Sequence, residues 1–206
     1  MIRKSALLLI LGALLLREAA AFEYPLSPEQ VREAYFLGRD VDNRGEFFGR
    51  YIHLLKIHRT GMDVHLIEFR TPYERVALQS QKHWANYDVL DAEQDHAKHP
   101  NRVIVRVLIC DTPMYLFPQP LFLAPGKPAP TGQDFFFSKF KFHVSQAAPI
   151  EPESHAATSA MACQNAGAEV HLNFKASQFA PGEVKIEVTE PYGNTYATTF
   201  DLDQLK

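Results

Sequence analysis

The stretch that decides the fold is "RVIVRVLIC", Arg102 to Cys110. Val103, Val105, Val107 and Ile109 fall on one side of an extended chain, with Arg102 and Arg106 on the other. This period of two belongs to a strand with one dry face and one wetter face. Upstream, "MDVHLIEFR" (Met62 to Arg70) also reads as a strand, because Val, Ile and Phe crowd a short run that lacks helix caps. It runs straight into "TPYERVALQSQKHW", where Thr71 and Glu74 stand in capping-box register. Tyr73, Val76, Ala77, Ser80 and Trp84 form one helical stripe in this segment. A strand that feeds a helix directly implies helix packed on sheet.

Two further helices are expected closer to the N-terminus. In "SPEQVREAYFLG", Ser27 caps, Pro28 suits the first helical position and Gln30 completes a capping box. Val31, Ala34, Tyr35 and Gly38 then mark the amphipathic face and its stop. "NRGEFFGRYIHLLK" pairs Asn43 with Glu46 at capping-box spacing and repeats Phe47, Phe48, Tyr51, Ile52, Leu54 and Leu55 at helical period. Gly49 weakens this helix, since glycine costs about 1 kcal/mol there relative to alanine. The preceding "DVDNRG" has the opening spacing of a calcium loop, but Arg44 and Tyr51 occupy positions where oxygen donors are required. Asp40 and Asp42 therefore read as turn residues ahead of an Asn43 cap.

Downstream of the central strand the chain becomes a β region. Six prolines between Pro113 and Pro130 exclude a central strand or helix and mark an extended loop. Its apolar side chains, Met114 to Phe117 and Leu121 to Leu123, are expected to plug into the domain; a docking surface is the other possibility. "DFFFSKFKFHVS" places Phe136, Phe140, Phe142 and Val144 opposite Lys139, Lys141 and His143. Residues 146–167, rich in Ala, Ser, Pro and Glu, read as a flexible excursion. "EVHLNF" (Glu169 to Phe174), "EVKIEV" (Glu183 to Val188) and "TYATTFDL" then predict a three-stranded antiparallel meander with a wet face bearing His171, Asn173, Lys175, Lys185 and Glu187. The expected fold class is α+β, with an antiparallel sheet, sandwich-like or half-rolled, mainly in the C-terminal half. Two or three short helices occupy the N-terminal half. A mainly-β sandwich is the alternative if the second helix proves to be a strand.

The run "SALLLILGALLLREAAAFEY", Ser5 to Tyr24, bears on the compartment. Its uncharged part is about twelve residues, whereas a membrane-spanning helix needs about twenty. Arg3 and Lys4 precede it and Ala19, Ala20 and Ala21 close it, the pattern of a signal peptide cut before Phe22. Cleavage of residues 1–21 leaves 22–206 as one globular domain with no second stretch of spanning length. A chain of that size buries about 70% of its unfolded surface. The formal charge moves from −3 to −5, and without a Lys/Arg cluster this excludes a nucleic-acid partner. Cys110 and Cys163 are the only cysteines, an even number in a chain expected to enter an oxidising space. A bridge between them closes a loop of about fifty residues, worth about 4 kcal/mol in the chain-entropy account.

Chemistry is sparsely written. HExxH, GxSxG, GxGxxG and phosphate-loop motifs are absent from the sequence. The one suggestive cluster is "DAEQDHAKHP", Asp91 to Pro100. If Asp91 caps a short helix, Asp95 with His99 and Glu93 with His96 stand at spacings that share a face. Carboxylate with imidazole is a donor set for Zn²⁺, which makes Asp95, His96 and His99 the metal candidates; a solvated, charge-laced helix is the plainer alternative. No catalytic residue and no cofactor is indicated. The function expected is that of an exported, non-catalytic module that binds a protein or small-molecule ligand. A metal-assisted hydrolase using Asp91–His99 is the alternative.

Overall fold

The computed structural model describes residues 22–56, 62–111, 139–160, 163, 167–191 and 193–206. The leader, the proline-rich loop and Phe136 lie outside the described residues. In chain order the elements are α1 (Pro28–Arg39), α2 (Arg44–Gly49), β1 (Ile52–Leu54), β2 (Met62–Arg70), α3 (Pro72–Lys82), α4 (Val89–Lys98) and β3 (Arg102–Asp111). They continue with β4 (Lys141–Ser145), β5 (Pro149–Ile150), β6 (Ser154–Ser159), β7 (Gly167–Lys175), β8 (Glu183–Thr189) and β9 (Thr195–Asp201). The fold is α+β with antiparallel sheets.

One sheet has the strand order β1-β2-β3-β7-β6 and the other β5-β4-β8-β9. Their apolar faces share one core. Val103, Val105, Val107 and Ile109 are fully buried, as the alternation of β3 requires, and meet Val170, Leu172 and Phe174 from β7. Val184, Ile186, Val188 and Phe200 contribute the second sheet's side. Each such side chain contributes about 1.5–3 kcal/mol through burial.

A second apolar cluster holds the helices together, with Val31, Ala34 and Tyr35 of α1 against Tyr73, Val76 and Ala77 of α3 and Ala92 of α4. Gly38 makes this crossing close: a Cβ there would stand 2.0 Å from the carbonyl oxygen of Ala77. Ser80 Oγ donates to the carbonyl of Tyr35 at 2.8 Å across the same contact. Two of the expected N-caps are formed, Ser27 accepting from the Gln30 amide and Thr71 from the Glu74 amide. Trp84 lies beyond the end of α3 and is exposed, so the predicted stripe stops at Ser80.

Four local expectations are corrected. The second helix ends at Gly49; Tyr51 turns into the core and Ile52–Leu54 form β1 against β2. Apolar residues on consecutive positions satisfy either period, and pairing with β2 decides in favour of the strand. Asn43 makes no side-chain cap; instead the Asp40 carboxylate accepts from the Asp42 and Asn43 amides. The segment 146–167 contains β5 and β6, the latter pairing with β7 throughout its length. Its small side chains give no alternation to read, but the neighbouring ladder supplies its hydrogen bonds. Finally, β7 and β8 do not pair: β7 lies between β3 and β6, and β8 between β4 and β9. The linker carries a 3-10 turn, Ala176–Gln178, and the buried Phe179, which take the chain from one sheet to the other.

Cys110 and Cys163, 53 positions apart in sequence, form a disulfide with their Cα atoms 5.4 Å apart. It ties the end of β3 to the segment ahead of β7. Gly167 provides the room, because a Cβ there would lie 2.1 Å from Cys163 Sγ.

Candidate functional site

The junction of β2 and α3 positions the site. Arg70 ends β2 on the outer face of its sheet, opposite Ile104 of β3. Thr71 then caps α3, whose residues Arg75, Gln79 and Lys82 recur at spacings of four and three and so share a face. Helix α4 runs past this face and contributes Asp95, His96, Lys98 and His99 from its C-terminal turn. Together they line a cleft of about 290 Å³. This is space for about ten water molecules at liquid density.

Arg75 holds the walls together. Its Nη1 donates to the carbonyl oxygens of His99, at 3.3 Å, and Arg102, at 3.1 Å. The guanidinium thereby satisfies acceptors at the end of α4 and the start of β3 and forms no ion pair with a carboxylate among the described residues. Arg70 Nη2 donates to Glu68 at 2.7 Å, and Lys98 Nζ to Asp95 at 2.6 Å. Beneath the surface, Arg70 Nε and His96 Nε2 have no hydrogen-bond partner among the described residues.

The electrostatics share one sign. Burial, and next the charge of Arg102, push the Arg75 guanidinium down to about 10. Burial and then Arg70 lower the Lys82 ammonium. His96 is lowered by burial and by Arg75, and His99 by burial and by Arg102, Arg75 and Lys98. Tyr87 on the rim is pushed up to about 12 by burial and by Asp95. A set of bases displaced in this direction reflects like charges held close together, with partial burial added at Arg75 and His96.

Glu74, on the buried side of α3, sharpens the imbalance. It is wholly buried, and neither carboxyl oxygen has a hydrogen-bond partner. Burial first, and then the negative charge of Glu68, push it well above the usual carboxylate range, which disfavours the charge that would offset the cleft's cations. The outer sheet face continues as an ion-pair network. Glu68 Oε2 accepts from Arg70 and, at 3.0 Å, from Arg106 Nη1, and Arg106 grips Glu169 through Nε and Nη2 at 3.0 and 2.7 Å.

The three metal candidates of the sequence therefore meet in one cleft, but in basic company. Asp95 is paired with Lys98. His96 and His99 lie among Arg75, Lys98 and Arg102. Among the described residues no three His, Cys, Asp or Glu side chains gather in a metal-holding group. Glu93 turns away to Arg32 at 2.9 Å. Asp91 is not the cap of α4: Asp88 caps it, accepting from the Leu90 and Asp91 amides, and Asp91 closes the capping box. Sequence reasoning missed Arg70, Arg75 and Lys82. The signal available was the seven-residue spacing of Arg75 and Lys82 with no acid four residues from either on α3. No protein-family model matches the chain, and no curated protein matches it.

Proposed function

We propose that the protein is an exported, non-catalytic binding module whose cleft between α3 and α4 receives a small ligand. The observation that carries this is the lining itself: Arg70, Arg75, Lys82, Lys98, His96 and His99 surround a compact cavity that holds one acid, Asp95. Concave sites with a few convergent polar groups are where small ligands bind. Undersatisfied buried polar atoms such as Arg70 Nε and His96 Nε2 support the same conclusion, because such groups are costly without a role. Export is supported by the leader pattern of residues 1–21 and by the Cys110–Cys163 disulfide, which suits an oxidising compartment.

The test is an NMR screen of small molecules against the chain purified from its natural compartment, with intact-mass and metal analysis of the same sample. Ligand-induced shifts centred on Gln79, Lys82, Tyr87 and His96 are expected, in a protein that begins at Phe22. Shifts that never reach this cleft would refute the binding site. Stoichiometric, tightly held zinc would replace it with the metal-assisted alternative, and an intact first methionine would refute export.

A further inference from the structure

We infer that the ligand of this cleft is a small dianion, bound by the uncompensated charges of Arg75 and Lys82. The inference rests on the binding reading above and adds the chemistry of what is bound.

Charge counting leads to it. Of the four cations that line the cleft, Arg70 is matched by Glu68 and Lys98 by Asp95. Arg75 bonds only to carbonyl oxygens, which carry no net charge, and no described carboxylate forms an ion pair with it or with Lys82. Two positive charges are thus left over on one face of α3. Arg75 is half-buried, and taking its charge partly out of water without a counter-charge is expensive, while Lys82, exposed at the end of α3, lines the same cleft as an accessible second cation; such a pair suits an anionic partner. Arg70 stands between the two, depressing the basicity of both.

Size shapes the partner. The cleft is open to solvent, so its volume of about 290 Å³ sets the size of the group seated in it, about ten heavy atoms, and not of a whole ligand. Two chemistries satisfy both limits: a tetrahedral oxyanion such as sulfate or a phosphate monoester, and a short dicarboxylate. Both offer two negative charges within reach of donors on α3 and α4. A monoanion leaves one cation unpaired, and a neutral molecule leaves two.

The test titrates the mature chain, disulfide intact, with sulfate, glycerol phosphate, succinate, acetate and dimethyl sulfone, following the cleft amides by NMR. Dimethyl sulfone has the shape of sulfate without its charge. At least one dianion is expected to bind about tenfold or more tightly than acetate, and dimethyl sulfone to bind negligibly. Tighter binding of sulfate or glycerol phosphate assigns a compact oxyanion, and tighter binding of succinate assigns a dicarboxylate; either order supports the inference. Lys82 is exposed at the helix end, so Lys82→Gln keeps the fold and is expected to weaken the preferred dianion about tenfold while leaving the melting temperature unchanged. Equal affinity for acetate or dimethyl sulfone, or an unaltered dianion affinity in Lys82→Gln, would overturn the inference. If neutral compounds from the screen shift the cleft while dianions do not, the binding site stands and this inference falls. If nothing reaches the cleft, both fall.

Discussion

Arg75 of α3 donates to the carbonyl oxygen of His99, 3.3 Å away, and with the same nitrogen to Arg102 at 3.1 Å, so one guanidinium closes the end of α4 onto the start of β3. A lysine there keeps the charge, but its ammonium ends one bond short of the guanidinium Nη1 and falls away from both carbonyls. Arg75→Lys is therefore expected to lose about 1–2 kcal/mol. For a chain of this size the melting temperature should fall by about 2–8 °C. Calorimetry of the two proteins at one pH checks this; an unchanged transition would mean that the two hydrogen bonds contribute nothing net.

Gly38 carries the crossing of α1 and α3. Alanine is the better helix former by about 1 kcal/mol, so in open space the substitution stabilises. Here the added Cβ meets backbone, 2.0 Å from the Ala77 carbonyl oxygen and 2.2 Å from Ser80 Oγ. Separating two packed helices costs about 1–3 kcal/mol and outweighs the propensity gain. Gly38→Ala should thus lower the midpoint of chemical unfolding. Gly49→Ala, where nothing lies within 4 Å of the new Cβ, should raise it or leave it unchanged. The opposite ranking of the two variants would refute the packing argument.

What the sequence makes legible follows the same distinction between local and non-local causes. The dry face of β3 and the caps at Ser27 and Thr71 are legible because periodicity and capping depend on neighbours a few residues away. The pairing of Cys110 with Cys163 is legible because two cysteines leave one choice. The separation of β7 from β8 is not, since both alternate in the same way and alternation names a face without naming a partner. The cleft is half legible. His96 and His99 stand out in one short segment, but their cationic neighbours come from β2, α3 and the start of β3 and meet only through tertiary packing.

His96 should couple anion binding to protons. Its imidazole is lowered by burial and by Arg75, which favours the neutral form at pH 7, with Tyr87, Asp95, Lys98 and His99 as its other titratable neighbours. A dianion offsets the field of Arg75 and raises His96 toward or above its ordinary value. Binding then takes up a proton, and affinity must rise as pH falls. Sulfate is the suitable probe because its own charge is constant between pH 5 and 8. Its dissociation constant is expected to fall several-fold from pH 7.5 to 5.5, and this dependence should flatten in His96→Gln. A profile that is level in the parent protein would exclude His96 from the linkage.

Glu74 predicts a pH dependence of the fold itself. Burial and Glu68 raise its carboxyl from 4.5 to about 8, while Arg70, Lys82 and Arg75 pull it the other way. An acid raised on folding binds more protons in the native state than in the unfolded chain between those two values. Its contribution is therefore harmless below about pH 4.5, grows into a destabilisation as pH rises, and is complete above about pH 8. Replacement by the neutral amide removes the titration while keeping the shape. Glu74→Gln should match the parent near pH 4 and be the more stable of the two at pH 8, by about 1–3 kcal/mol. Urea unfolding across that range gives the difference directly. If the variant is instead the weaker protein at pH 8, the ionised carboxylate has a stabilising partner in solution, and the cleft then holds one positive charge fewer than counted above.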